Sequence, residues 1–102
     1  MPDVPFALDF DATSGVLAVS GELDEEPAAA LRAALEERSQ GYASGLVLDL
    51  TGVTYLPSAA VGVLAKASQQ FASSGSSLEL AAAAGSVAER VLTVCAMPHR
   101  SY

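Results

Sequence analysis

The sequence contains one cysteine, one histidine and only five basic residues. A single cysteine, Cys95, cannot form an internal disulfide, and there is no Cys/His cluster to hold zinc. The formal net charge of −7 excludes nucleic acid as a partner, because phosphate backbones bind clustered Lys and Arg. The glycines form no phosphate-binding motif. We therefore expect no cofactor, no metal and no nucleic acid.

Long apolar runs are also missing. No segment approaches the ~20 residues that a membrane-spanning helix needs, and Lys66 interrupts the only candidate. The first ten residues, MPDVPFALDF, lack the basic segment that opens a signal peptide. Acidic proteins are also repelled by anionic membranes. We therefore expect a cytoplasmic protein, without membrane insertion, in a compartment that keeps its lone thiol reduced.

What is present is a globular composition, with 51% hydrophobic and 17% charged residues in 102. Apolar residues alternate with others from Val4 to Phe10, turn formers occupy 11–15, and 16–20 are again apolar, which predicts a β-hairpin. A helix follows, with Pro27 expected at its first position and Gly41 close after its end. The aliphatic run at 45–50 predicts a central strand buried on both faces.

Helical spacing returns from Ser58, a strand is predicted at 78–81, and a last helix follows Ser86, the expected N-cap. Strands separated by helices need crossover connections, so the later strands should be parallel. We predict one α/β domain over residues 1–102, either a whole protein or an excised part of a longer regulator. It should be a small sandwich, with a mixed, mostly parallel sheet, an N-terminal antiparallel hairpin and helices packed on it.

The carboxyl ends of the parallel strands should meet at one edge of the sheet, where partners of α/β proteins gather. This edge should collect Asp24 after the second strand, and Thr54, Tyr55, Pro57 and Ser58 after the third.

The Ser58 hydroxyl has two compatible interpretations. As a helix N-cap it would contribute about 1 kcal/mol. As a phosphorylation site it would place a dianion on the free N–H groups and positive dipole end of a helix. A nucleophile would need a base, and the only histidine, His99, lies far along the chain. We therefore expect no enzymatic activity.

The segments GELD (21–24), LVLDLTGVTYLPSAAVGVL (46–64) and SLELAAAAGSVAERVLTV (77–94) together resemble the STAS domain of bacterial anti-sigma factor antagonists. The resemblance covers roughly residues 16–94. It implies a partner-switching role in transcription regulation and stress response. The unphosphorylated form would bind an anti-sigma factor of the GHKL serine-kinase type. Phosphorylation on the turn that opens the helix would break that complex, and a serine phosphatase would restore it.

This turn departs from the family pattern, Asp-Ser-Ser/Thr-Gly-Leu-Gly. In an ungapped alignment, Pro57 occupies the position of the family's aspartate, and Ala59 occupies the position of its phosphate-accepting residue. Ser58 therefore becomes the predicted phosphorylation site. The residues predicted to contact the partner are Asp24, Thr54, Pro57, Ser58, Ala59, Gly62 and Lys66. The alternative, which Ala59 favours, is a non-switching STAS subunit or scaffold of a transporter, lipid-transport or signalling complex.

Two small residues have structural interpretations as well. Cys95, beside the helical series Val87, Val91 and Val94, is predicted to be a buried small hydrophobe on the core face of the last helix. Gly62 indicates either close helix packing or a flat surface for a partner helix.

Overall fold

The computed structural model describes residues 5–101, which form a five-stranded sheet and three helices. The strands are β1 (Ala7–Asp11), β2 (Val16–Glu22), β3 (Leu46–Tyr55), β4 (Leu78–Ala82) and β5 (Arg100–Ser101). The helices are α1 (Glu25–Arg38), α2 (Ser58–Ser73) and α3 (Val87–Val94). The strands lie side by side in chain order; β1 is antiparallel to β2, and all later pairs are parallel. This confirms the predicted α/β architecture, to which the short β5 is an addition.

The predicted hairpin joins β1 to β2. Its turn is stabilised by Asp11, whose carboxylate accepts a hydrogen bond from the Thr13 N–H (2.9 Å), and by Gly15, whose φ of +72° suits glycine. The side chains of Phe6, Leu8 and Phe10 are half-buried against the core. Their neighbours in β1 are exposed, as the alternation predicted. Val4, the first residue of the predicted strand, lies outside the described residues.

The helix ends follow their sequence signals with one shift. α1 begins at Glu25, so Pro27 is its third residue rather than its first. A proline fits there equally well, because the first-turn N–H groups have no partner within the helix. The Gly41 N–H caps the other end by donating to the Glu36 carbonyl (2.8 Å), with a φ of +70°. Ser86 is the predicted N-cap of α3: its hydroxyl accepts from the Glu89 N–H (3.1 Å).

One hydrophobic core joins the sheet and the helices, and β3 runs through its middle. Leu46, Leu48 and Leu50 of β3 are buried, whereas Val47 and Asp49 between them are only half-buried. The expectation of burial on both faces is therefore wrong, because an aliphatic β-branched residue also suits a partly exposed strand position.

The face that α3 turns to the core is shifted from the predicted one: of the predicted series, only Val91 is half-buried against the core. Ala88 and Leu92 are buried, whereas Val87 is 49% and Val94 81% exposed. Ala88 and Leu92, which are four residues apart, have helical spacing just as the predicted valine series does. Leu92 has the larger apolar side chain, and it faces inward. Cys95 is the C-cap and is exposed, so its predicted burial is wrong. The helix ends before Cys95, which therefore does not continue the helical face.

Candidate functional site

The carboxyl ends of β2 and β3 lie together, as the topology requires. The Leu23 N–H donates to the Tyr55 carbonyl (3.0 Å), and Glu22 is aligned with Tyr55 in the parallel register. Asp24 follows at once as the N-cap residue of α1, and Pro57 precedes α2. The starts of α1 and α2 therefore share one edge of the sheet with the end of β3.

Thr54 and Tyr55 belong to β3 and not to the loop after it. The strand continues beyond the predicted run because residues 52–55 still pair with β2. Both side chains are exposed, Tyr55 to 49%. The added strand length carries these side chains to the point where α2 begins.

Ser58 is the first residue of α2 and not its N-cap. Pro57 holds the extended N-cap conformation (φ −77°, ψ 170°), and its carbonyl accepts from the N–H groups of Ala60 (3.0 Å) and Val61 (3.1 Å). The N-cap interpretation of Ser58 is therefore wrong: the helix begins one residue too early for it. Its side chain is exposed and forms no hydrogen bond with residues 5–101.

This geometry leaves the start of α2 uncapped. Pro57 supplies no side-chain acceptor, and the first turn of α2 contains no acidic residue. The N–H groups of Ser58 and Ala59 have no backbone acceptor among the described residues. A helix start of this kind attracts negative charge. An anionic group on the Ser58 oxygen would therefore lie beside free donors.

The exposed side of α2 carries mostly small residues. Ser58, Gly62 and Lys66 follow one another at four-residue intervals and thus share a stripe, with Ala59 and Ala65 beside them. All five are exposed, while Ala60, Leu64, Ala67 and Phe71 face the core. We call the exposed residues Asp24, Thr54, Ser58, Ala59, Gly62 and Lys66 the Ser58 surface. Pro57, the remaining predicted contact, is half-buried at its border.

Residues 6–97 match a family model described as Mlab, STAS domain. The chain belongs to the STAS domain family. Two solved structures are similar in fold. One is the crystal structure of an anti-sigma factor antagonist from Mycobacterium paratuberculosis: 22% identity, TM-score 0.73, and a match covering 95% of this chain and 85% of that one. The other is the anti-sigma factor antagonist SpoIIAA in its unphosphorylated form: 16% identity, TM-score 0.73, covering 96% and 88%. The predicted family and the predicted fold are both confirmed.

In this STAS domain Gly62 has no packing role. A Cβ atom built on it meets nothing within 4 Å, so the close-packing interpretation is wrong. Ala65 was missed as a member of the exposed stripe. Its position seven residues after Ser58 is the periodic signal that would have identified it.

Gly62→Ala should raise the free energy of unfolding by about 0.5–1 kcal/mol, because glycine inside a helix is less favourable than alanine by that amount. Urea denaturation of both proteins measures the difference. Ala65→Gly, at an exposed position of the same helix, should lower stability by a similar amount. A loss of stability in Gly62→Ala would show that the surface is more crowded than this geometry allows.

The lone histidine of the STAS domain faces partners other than Ser58. The His99 Nδ1 atom lies 2.8 Å from the Met97 carbonyl oxygen, and Nε2 lies 3.6 Å from a carboxylate oxygen of Glu89. Among residues 5–101 no helix has the length and apolar character to cross a membrane. The same part of the chain contains no group of three or more His, Cys, Asp or Glu residues placed to hold a metal ion.

Proposed function

We propose that this STAS domain is an anti-sigma factor antagonist that acts by partner switching and is controlled by phosphorylation of Ser58. Its partner is an anti-sigma factor of the GHKL serine-kinase type, and a serine phosphatase removes the phosphate. The observation that carries the proposal is the Ser58 hydroxyl, exposed and unpaired with residues 5–101 at the uncapped start of α2. Membership of the STAS family supports it.

The residue types of the Ser58 surface suit the docking of another protein. Ala59 and Gly62 carry at most a methyl group, so a partner backbone can approach α2 closely. Asp24 and Lys66 are both exposed and form no ion pair with other residues of the 5–101 range. One offers a carboxylate and the other an ammonium group to the partner. Thr54 adds a hydroxyl at the end of β3.

Phosphorylation would change this surface without disturbing the fold. The free N–H groups of Ser58 and Ala59 would donate to the phosphate oxygens. The phosphate adds about −1.5 to −2 charges at neutral pH. A partner that packs on the small side chains of α2 would have to strip water from this dianion, which is costly without a cation beside it. The phosphorylated form should therefore release the partner.

The test is to incubate the domain with GHKL-type anti-sigma factors from its native host and ATP, and to measure intact mass. The wild type should gain one phosphate and Ser58→Ala none. The double variant Ser58→Ala/Ala59→Ser moves the hydroxyl to the position that accepts phosphate in the family pattern. If only this double variant is modified, the kinase reads position 59 and the assignment to Ser58 is wrong.

One observation favours a second function. Ala59 is exposed at the usual acceptor position and cannot be phosphorylated. This is the substitution expected in a non-switching STAS subunit or scaffold of a transporter, lipid-transport or signalling complex. The same experiment separates the two functions. If no kinase adds a phosphate, and Ser58→Ala leaves the partners recovered from the native host unchanged, the non-switching role replaces the switch.

A further inference from the structure

β1 forms an outer edge of the sheet. It pairs with β2 on one side, and on the other side no strand within residues 5–101 pairs with it. Such an edge presents backbone N–H and C=O groups that can bind an additional strand. Its sequence, ALDFD, contains no proline, and its only charged side chains are Asp9 and Asp11. These charges oppose pairing with an acidic strand and favour pairing with a basic one.

An apolar groove runs below this edge, between β1 and α1. It has a volume of about 340 Å³, and its apolar lining includes Leu8, Phe10, Ala30 and Ala33. The alanines of α1 are too short to fill the space under the strand. Glu37 and Arg38 also line the groove, and the Arg38 guanidinium lies 5.3 Å from the centre of the Phe10 ring. The volume exceeds the ~150 Å³ with which an apolar protein cavity can hold benzene, so it has room for aliphatic side chains.

The opposite face of β1 is acidic. The side chains of Asp9 and Asp11 are exposed, and neither forms an ion pair within residues 5–101. Successive side chains of a strand point to opposite faces of the sheet. A strand added to β1 would thus send every second side chain into the groove and set the others beside Asp9 and Asp11. Cross-strand pairs of opposite charge are favourable.

We propose that β1 binds, by strand addition, an extended segment of a partner protein in which apolar and basic residues alternate. This surface is separate from the Ser58 surface, so either can fail without the other. A second copy of the chain fits less well. Antiparallel pairing of two β1 strands about their centres would place Asp9 opposite Asp9, and like charges directly opposite one another are destabilising.

The probe is a fluorescent peptide of about six residues, a typical strand length, in which valine and lysine alternate. Fluorescence anisotropy should show that it binds about tenfold or more tightly than a peptide of the same composition with the valines and lysines grouped, or one with glutamate for lysine. Hydrogen exchange of amides in β1 should slow in the complex. Equal binding of the grouped peptide would overturn the proposal, because it would show only attraction to an acidic protein.

Matched variants locate the site. Ala33→Glu fills the groove and should weaken binding about tenfold, whereas Ala29→Glu, exposed on α1 outside the groove, should not. Asp9→Asn/Asp11→Asn should weaken binding more than Glu25→Gln/Glu26→Gln, which removes the same charge from α1. The proposal would be contradicted if Ala33→Glu weakened peptide binding no more than Ala29→Glu, and the two aspartate substitutions weakened it no more than the two glutamate substitutions. A dimer in analytical ultracentrifugation that Ala33→Glu dissociates would also overturn it, by making a second copy the occupant.

Discussion

Ser58→Glu should weaken binding to the proposed anti-sigma factor partner by about a hundredfold, whereas Ser58→Ala should change it little. The reason lies in what surrounds the new charge. Lys66, the cation on the same stripe of α2, is eight residues away, or about 12 Å along a helix with a rise of ~1.5 Å per residue. No cation of α2 thus lies beside the added carboxylate, which must lose water against the partner. Isothermal titration calorimetry with the proposed partner, in purified form, measures both variants.

The same substitution should not damage the fold. A carboxylate at the first position of α2 lies near the unbonded N–H groups of the helix start, so unfolding should require about 0.3–1 kcal/mol more free energy. Urea denaturation therefore separates a binding effect from unfolding. Ser73→Glu is the matched control, because it adds the same charge at the exposed far end of α2 and should keep the affinity of the wild type.

The results have distinct meanings. A loss of affinity in Ser58→Glu alone would support a docking surface that is controlled by its charge. Equal losses in Ser58→Ala and Ser58→Glu would indicate that the hydroxyl itself is the contact, and not its charge state. Full affinity in both would mean that the partner binds elsewhere, and the switch at Ser58 would be rejected.

The order of strands and helices could be predicted because each long element carries a periodic pattern. β5 could not, since two residues have no period. β5 pairs with β4, and Arg100 bonds the Glu79 carboxylate (2.9 Å), a contact between residues distant in sequence. The extension of β3 beyond residue 50 could not be predicted either, because it depends on contacts between residues distant in sequence. The residues TGVTY contain turn formers as well as β-branched residues, and pairing with β2 determines their conformation.

At the site, the prediction that Ser58 lies at the start of a helix is correct, but the prediction that it is the N-cap is wrong. Which residue is the N-cap depends on the backbone angles of a single residue. Pro57, whose ring restricts φ and which has a φ of −77° here, is the N-cap of α2. The face of α3 was misjudged because two apolar series with helical spacing compete in it. Only the packing against β3 and its neighbours buries Leu92 and leaves Val94 at the surface.

Gly21→Ala should cause the largest loss of stability, about 2–5 kcal/mol, since a positive φ costs an alanine ~1–2 kcal/mol and crowding of a packed site ~1–3 kcal/mol. Gly21 has a φ of +89°, and a Cβ atom on it would lie 2.8 Å from backbone atoms of Pro5 and Phe6. Backbone atoms cannot rotate away as a side chain does. The segment leading into β1 would therefore have to move.

Gly15→Ala is the matched control for Gly21→Ala. Its φ of +72° imposes a similar backbone strain, but a Cβ atom there meets nothing within 4 Å. Urea denaturation should therefore show only the smaller loss, about 1–2 kcal/mol. Hydrogen exchange of amides in β1 should accelerate in Gly21→Ala, because the displaced segment leads into that strand. Equal losses of stability in the two variants would mean that the contact with Phe6 adds nothing. In that case the contact between Gly21, near the end of β2, and the residues just before β1 would not help to hold β1 in place.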